Sequence, residues 1–171
     1  MKLRGIIDED FANYQKASMF LIFPYCSFKC GEKECQNSPL MQSFIVDVTE
    51  EDICQRYINN PLTEAIVCGG LEPFDSKFEL FSLIDTLRRE YKCNDDIVIY
   101  TGYTKEELEN TVENGLSTLY KNLFNFPNII VKYGRYIPND QSQFDEILGV
   151  ELASSNQYAR RITNETITHL G

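Results

Sequence analysis

Residues 18–35 of the chain read SMFLIFPYCSFKCGEKEC, an apolar run followed by a polar loop with three cysteines. The run Ser18–Phe23 is apolar at consecutive positions, as in strands that are buried on both faces of a parallel sheet. Cys26, Cys30 and Cys35 then fall within ten residues of one another, directly after that run. This stretch therefore predicts a buried parallel strand with a cysteine-rich loop at its carboxyl end.

Three further apolar runs, each followed by a turn residue, predict strands over Glu64–Cys68, Asp96–Thr101 and Asn128–Tyr133. Between the strands, Ser or Thr residues that can cap a helix predict helices over 49–58, 76–91 and 104–115. Such alternation is typical of an α/β fold, in which right-handed crossovers join the strands of a mainly parallel sheet. We therefore predict one α/β domain over residues 1–171, with loop, short strand or both beyond Arg135.

Three loops follow the predicted strands at their carboxyl ends: Tyr25–Cys35, Gly69–Pro73 and Thr101–Tyr103. In parallel α/β sheets these ends open onto one face, and ligands collect there. The cysteine loop and the glycine loop are therefore predicted to be neighbours in space, although they are far apart in the sequence.

The glycine loop, GGLEP, suits the binding of a small molecule. Gly69 and Gly70 would let a ligand approach the backbone closely, and Glu72 could pair with an ammonium group. The alternative is an ordinary turn, with Glu72 in solvent and Pro73 at the start of a helix. At the end of the third strand, Thr101 is a candidate ligand contact, although its hydroxyl could equally cap the turn.

The composition excludes several classes of protein. The 171 residues carry 16 basic and 26 acidic side chains, a formal net charge of −10 at pH 7. Such a chain lacks the basic face that non-specific binding to nucleic acids or to anionic membranes requires. No apolar run approaches the roughly 18 residues of a membrane span, and residues 1–10 lack the apolar core of a signal peptide. We therefore expect a cytoplasmic protein whose six cysteines form no disulfides.

The three clustered cysteines suit a soft metal centre. A structural zinc site or a complete iron-sulfur site normally has four protein ligands, so three cysteines on a [4Fe-4S] cluster would leave one iron open. Two alternatives remain: free cysteines in a loop, or a zinc site with a distant fourth donor such as His169 or Cys54. Cys54 and Cys68 are otherwise expected to be buried as small apolar residues, and Cys93 lies in a polar connection.

Four short stretches, taken together, indicate a known family. They are the cysteine loop with its end ECQN (Cys26–Asn37), GGLEPF (69–74), IYTGY (99–103) and ASSNQ (153–157). In this order they resemble the radical S-adenosylmethionine (SAM) superfamily, and within it the activating proteins of anaerobic ribonucleotide reductases. The second cysteine gap holds four residues where the superfamily has two, and GGLEP is one residue longer than the family's GGEP. These insertions mark a divergent branch.

The resemblance implies a partial, open β/α barrel that holds a [4Fe-4S] cluster through Cys26, Cys30 and Cys35. In that family SAM binds the fourth iron, and the reduced cluster cleaves it to methionine and a 5′-deoxyadenosyl radical, which takes a hydrogen atom from a glycine of the reductase. The resemblance also implies a glycyl-radical reductase subunit as partner and an electron donor such as flavodoxin or ferredoxin.

The cofactor-binding residues predicted on this basis are Gly69, Gly70, Glu72, Thr101 and Asn156, and no catalytic residue is predicted. For Asn156, a turn with local hydrogen bonds is the alternative role. Two other functions stay open. One is an electron-transfer or scaffold protein that holds a [4Fe-4S] cluster without SAM chemistry, and the other is a zinc-binding interaction module.

Overall fold

The computed structural model describes residues 1–162 of the chain. Within these residues there are ten strands: β1 (Lys2–Leu3), β2 (Gly5–Asp10), β3 (Ser18–Phe23), β4 (Val46–Asp47), β5 (Ala65–Gly70), β6 (Asp96–Tyr100), β7 (Ile129–Tyr133), β8 (Gln143–Asp145), β9 (Val150–Leu152) and β10 (Tyr158–Ile162). The α-helices of the same part of the chain are α1 (Glu50–Ile58), α2 (Lys77–Arg89), α3 (Lys105–Asn110) and α4 (Leu116–Leu123). Over residues 1–162, no helix is both long enough and apolar enough to cross a membrane.

Six of the strands form one sheet, in the order β10-β7-β6-β5-β3-β2. The four central strands are parallel, whereas β2 and β10 run antiparallel to their neighbours at the two edges. Consecutive parallel strands are connected through α1, through α2 and through the pair α3 and α4. The prediction of an α/β fold with a mainly parallel sheet is therefore confirmed. The tail beyond Arg135 combines loop with the short strands β8, β9 and β10.

The two faces of the sheet pack against different elements. On one face, Leu21 and its neighbours form a core with buried residues of all four helices. On the other face, Val67 and Val98 pack with Leu148 and Leu152, which belong to the segment around β9. Because side chains alternate between the faces along a strand, both sets are buried and the parallel strands are apolar at most positions.

Capping residues mark the starts of two helices, as the sequence predicts. The hydroxyl of Thr49 accepts a hydrogen bond from the amide of Asp52 at 3.0 Å, which caps α1. Thr104 and Glu107 form a complete capping box at the start of α3. These caps satisfy amide groups that have no partner within the helix, so both predictions are confirmed.

Two other local predictions are wrong. Ser76 does not cap α2, because a 3₁₀ turn at Pro73–Ser76 precedes the helix, and within the described chain the buried Ser76 hydroxyl has no hydrogen-bond partner. Gly115 does not end the third predicted helix. Helix α3 already ends at Asn110, and Gly115, with a φ of 72°, stands immediately before α4.

Candidate functional site

A cavity of about 510 Å³ lies at the carboxyl ends of the four parallel strands. Its wall includes residues from all three of the loops that follow β3, β5 and β6. The cysteine loop contributes its three cysteines, the glycine loop contributes Gly70 and Glu72, and the loop after β6 contributes Thr101 and Gly102. These loops are therefore neighbours, as the general rule for parallel sheets predicts.

Tight turns fold the cysteine loop back on itself. The amide of Gly31 donates a hydrogen bond to the carbonyl of Phe28 at 2.9 Å, and the amide of Cys35 donates to the carbonyl of Gly31 at 3.1 Å. The amide of Phe28 also donates to Sγ of Cys26 at 3.3 Å. The turns thus bring the three cysteines to one cavity wall.

The surroundings of Cys26 and Cys30 favour the protonated form of their thiols. Burial raises the pKa of Cys26 to about 12, although the hydrogen bond from the Phe28 amide opposes the rise. Burial also raises the pKa of Cys30, and the adjacent Cys35 raises it further. A bound metal reverses this preference, because a coordinating thiol loses its proton. Metal binding at this loop would therefore release protons.

The donor chemistry of the cavity fits an iron-sulfur cluster. Over residues 1–162, no three His, Cys, Asp or Glu side chains lie close enough together to hold a single metal ion. A [4Fe-4S] cluster has different requirements, because its ligands are cysteine thiolates that bind different iron atoms of one larger group. Three thiols around one cavity are a suitable donor set for such a group.

Cys54, which the sequence offers as a fourth zinc ligand, does not line the cavity. It is fully buried in the core between the sheet and the helices. The other candidate, His169, lies outside the described residues. Cys68 is buried in the same core, and Cys93 is half-buried and packs against it. The prediction that Cys54 and Cys68 are packing residues is therefore confirmed.

Hydrogen bonds join the cysteine loop to the glycine loop on both sides of the cysteines. Before them, the carbonyl of Tyr25 accepts a hydrogen bond from the amide of Glu72 at 2.8 Å. After them, the side-chain amide of Asn37 donates to the carbonyl of Gly70 at 2.8 Å. The position of the cysteines relative to the glycine loop is therefore held from both ends.

Asp75 adds a third connection that the sequence interpretation missed. One of its carboxylate oxygens accepts a hydrogen bond from the amide of Ser27 at 2.6 Å, and the other accepts one from the hydroxyl of Tyr103 at 2.8 Å. Asp75 thereby links the cysteine loop to the loop after β6. Its position three residues after Glu72, in the turn that leads away from the glycine loop, was the only signal in the sequence.

The two glycines of the glycine loop differ in their environment. Both lie inside β5, which continues to Gly70, so the strand predicted to end at Cys68 ends two residues later. Gly69 does not line the cavity, and a Cβ there would lie 3.1 Å from the ring of Phe20. Gly70 lines the cavity and has a positive φ of 81°. Gly70 is therefore the one that a ligand could approach closely.

Gly70→Ala is expected to lower the free energy of unfolding by about 2–4 kcal/mol. An added Cβ would lie 2.6 Å from Cγ2 of Ile22, and the positive φ disfavours any residue with a Cβ. Urea denaturation measures the change. Gly115→Ala is the control, because its φ is also positive but nothing lies within 4 Å of its Cβ position. For Gly115→Ala the free energy of unfolding should fall by only about 1 kcal/mol. If it fell equally in Gly70→Ala and Gly115→Ala, the steric explanation would be contradicted.

Glu72 is buried, with 6% of its surface exposed, so the alternative of a solvated side chain is wrong. Its Oε1 accepts hydrogen bonds from the Phe74 amide at 3.0 Å and the Thr101 hydroxyl at 2.8 Å. Its Oε2 accepts one from the Gly102 amide at 2.8 Å. Burial raises the pKa of this carboxyl group to about 7, while the hydrogen bonds act in the opposite direction. Glu72 therefore joins the ends of β5 and β6 at the cavity.

Of the two roles that the sequence offers for Thr101, the structure shows the capping of the turn. Thr101 lines the cavity, and its hydroxyl donates a hydrogen bond to Glu72. The same oxygen accepts a hydrogen bond from the amide of Tyr103 at 3.0 Å, which caps the turn. Its contact with a ligand stays a prediction.

Asn156 is exposed and does not line the cavity. Its side-chain amide donates a hydrogen bond to the carbonyl of Arg135 at 2.8 Å, which fastens the ASSNQ segment to the loop after β7. The adjacent Gln157 is buried, lines the cavity, and donates to the carbonyl of Gly134 at 3.1 Å. Within this motif, the residues that line the cavity are thus Ala153 and Gln157, and the sequence interpretation singled out neither of them.

Lys132 is a second cavity residue that the sequence interpretation missed. It lies in β7, is 7% exposed and lines the cavity. Burial lowers the pKa of its ammonium group to about 8. The only signal in the sequence is one charged residue inside an otherwise apolar strand.

Comparison with known proteins adds independent information on this site. A family model described as "4Fe-4S single cluster domain" matches residues 16–158, which include the three cysteines and every strand that lines the cavity. No curated protein and no solved structure gives a significant match. The match extends over most of the chain. The iron-sulfur interpretation of the cysteine loop is therefore supported by the three thiols and, independently, by the family match. The chain belongs to the 4Fe-4S single cluster domain family.

Proposed function

We propose that the chain holds its [4Fe-4S] cluster through Cys26, Cys30 and Cys35 and cleaves SAM reductively, as radical SAM enzymes do. When bound and reduced, the cluster supplies one electron to the sulfonium of SAM, which breaks a carbon–sulfur bond and yields methionine and a 5′-deoxyadenosyl radical. The protein to be activated is a glycyl-radical enzyme such as anaerobic ribonucleotide reductase. A flavodoxin or ferredoxin is the electron donor. We expect the chain and this donor to be in the cytoplasm.

One observation carries this proposal: three cysteines line the cavity, and no fourth one among residues 1–162 does. A [4Fe-4S] cluster normally has four cysteine ligands, so this set leaves one iron for an exogenous ligand. The cavity beside the cysteines, at about 510 Å³, is within the range of roughly 300–1,000 Å³ that small-molecule sites occupy. A cluster used only for electron transfer needs neither an open iron nor a cavity.

The fold is compatible with the same proposal. The parallel strands have the helices on one face and the cavity at their carboxyl ends, which is where β/α barrels bind their substrates. We therefore infer a partial, open barrel of the radical SAM type. Val150 and Leu152 of β9 add apolar side chains to the cavity wall.

Each predicted cofactor-binding residue has a proposed part in this site. Gly70, Glu72 and Thr101 are proposed as direct contacts, because they line the cavity. A carboxylate has about four acceptor positions, and the three hydrogen bonds to Glu72 leave about one for the ammonium group of a ligand. Gly69 and Asn156 are proposed to act indirectly. Gly69 allows the close packing of its strand, and Asn156 holds the loop after β7 through its hydrogen bond.

Anaerobic reconstitution with iron and sulfide, followed by incubation with dithionite and SAM, tests the proposal. We expect 5′-deoxyadenosine, measured by liquid chromatography, only when both the cluster and the reductant are present. A fully loaded protein that forms none would overturn the SAM chemistry and leave an electron-transfer or scaffold protein. A preparation that takes up only zinc would overturn the cluster as well and leave a zinc-binding interaction module.

A further inference from the structure

Lys132 is a buried cation on the wall of the cavity. The other residues of its strand are aliphatic or aromatic and at most 1% exposed: Ile129, Ile130, Val131 and Tyr133. Moving an ammonium group out of water into such surroundings is costly unless a partner of opposite charge compensates for the lost hydration. Burial of Lys132 is therefore unfavourable for folding, and packing alone does not explain why a lysine stands at this position.

The ammonium group has few partners within residues 1–162. Its Nζ donates one hydrogen bond, to the carbonyl of Gly134 at 3.1 Å, and lies 5.7 Å from the centroid of the Tyr100 ring. An ammonium group has three protons to donate. Two of them are thus without an acceptor in the described chain, next to an open cavity.

The charged neighbours of Lys132 form no hydrogen bond with it within residues 1–162. Glu72 acts on Lys132 through space, but its carboxylate accepts hydrogen bonds from Phe74, Thr101 and Gly102 instead. Arg135, the other basic residue of the cavity wall, is paired with Glu107 at 2.9 Å. Among the described residues of this wall, Lys132 is therefore the basic side chain that has no carboxylate partner.

We propose that Lys132 binds a carboxylate of the small molecule that occupies the cavity. This inference rests on the proposed function: for SAM, the group is the carboxylate of its methionine part. A nucleotide phosphate offers the same anionic oxygens, so the test includes both sources. The competing role is structural, in which Lys132 only supports the turn at Gly134.

Ligands with and without the carboxylate distinguish these roles. Equilibrium dialysis of the cluster-loaded protein, without reductant, measures the dissociation constants of SAM and of decarboxylated SAM. For Lys132→Met we expect SAM to bind about ten- to hundredfold more weakly, because a charge-assisted hydrogen bond is lost. Decarboxylated SAM should bind wild type and variant equally, within about twofold. Lys121→Met, at an exposed position of α4, should leave both constants unchanged.

Equal weakening of both ligands would overturn the proposal and assign Lys132 a structural role. Lys132→Gln replaces Lys132→Met if the latter loses its cluster, which iron analysis detects. If the proposed function itself is wrong, the wild-type protein will not bind SAM, which distinguishes that outcome from an error about Lys132. In that case ATP and inorganic phosphate are the probes: binding that disappears in the variant supports an anion site for phosphate. Absence of binding for all of these ligands would overturn the anion site itself.

Discussion

Cys35→Ala is expected to abolish retention of the iron-sulfur cluster, whereas Cys93→Ala is expected to retain it. With Cys35 replaced, two thiolates remain around the cavity, too few to hold four irons against loss to solvent or chelators. Cys93 is half-buried at the edge of the core and does not line the cavity. Iron and sulfide analysis and the visible absorption of anaerobically reconstituted protein measure the difference.

The other cysteines extend this test. Cys26→Ala and Cys30→Ala should lose the cluster as Cys35→Ala does, since all three line the same cavity. Far-ultraviolet circular dichroism serves as a check that each variant is folded. If Cys35→Ala and Cys93→Ala retained equal amounts of iron and sulfide, the cysteine loop would not be the binding site.

The parallel strands were predictable because they are buried on both faces. Strand β3 occupies the predicted residues, since a run such as SMFLIF has no polar face that could be solvated. The edge strands have no such pattern. Strand β2 reads GIIDED and β10 reads YARRI, and their place depends on pairing with β3 and β7 rather than on their own apolar residues.

Gly115 illustrates why local signals at helix ends can mislead. A glycine after a helical stretch is typical of a helix end, because the left-handed conformation there costs glycine little. The same conformation at Gly115 instead redirects the chain into α4. The choice between the two depends on where Leu116 and Tyr120 can be buried against the sheet, which the short segment alone does not determine.

In the site, the positions of the loops were predictable from the sequence, whereas the orientations of individual side chains were not. That three loops surround one cavity follows from the rule for strand ends, which needs only the order of the elements. Which side chains face the cavity depends on the register and twist of the strands and on tertiary hydrogen bonds. Lys132 and Gln157 were missed for that reason, and the hydrogen bonds of Glu72 require the loop after β6 to be in place.

Glu72→Ala is expected to lower the free energy of unfolding by about 3–5 kcal/mol. The substitution leaves the amides of Phe74 and Gly102 and the hydroxyl of Thr101 without their acceptor, in a place that water reaches poorly. It also removes the link between the ends of β5 and β6, so the cavity wall should loosen together with the fold. Urea denaturation of anaerobically prepared protein measures the loss.

Glu64→Ala is the matched control for Glu72→Ala, because Glu64 is an exposed glutamate directly before β5, whereas Glu72 stands just after it. We expect its effect to stay within about 0.5 kcal/mol. Glu72→Gln should fall between the two, at about 1–3 kcal/mol, since its oxygen can still accept from Phe74 and Thr101 while its amide nitrogen meets the Gly102 amide, a donor against a donor. If Glu72→Ala cost no more than Glu64→Ala, the carboxylate would not hold the strand ends together. Its burial would then be explained only by a role toward the ligand.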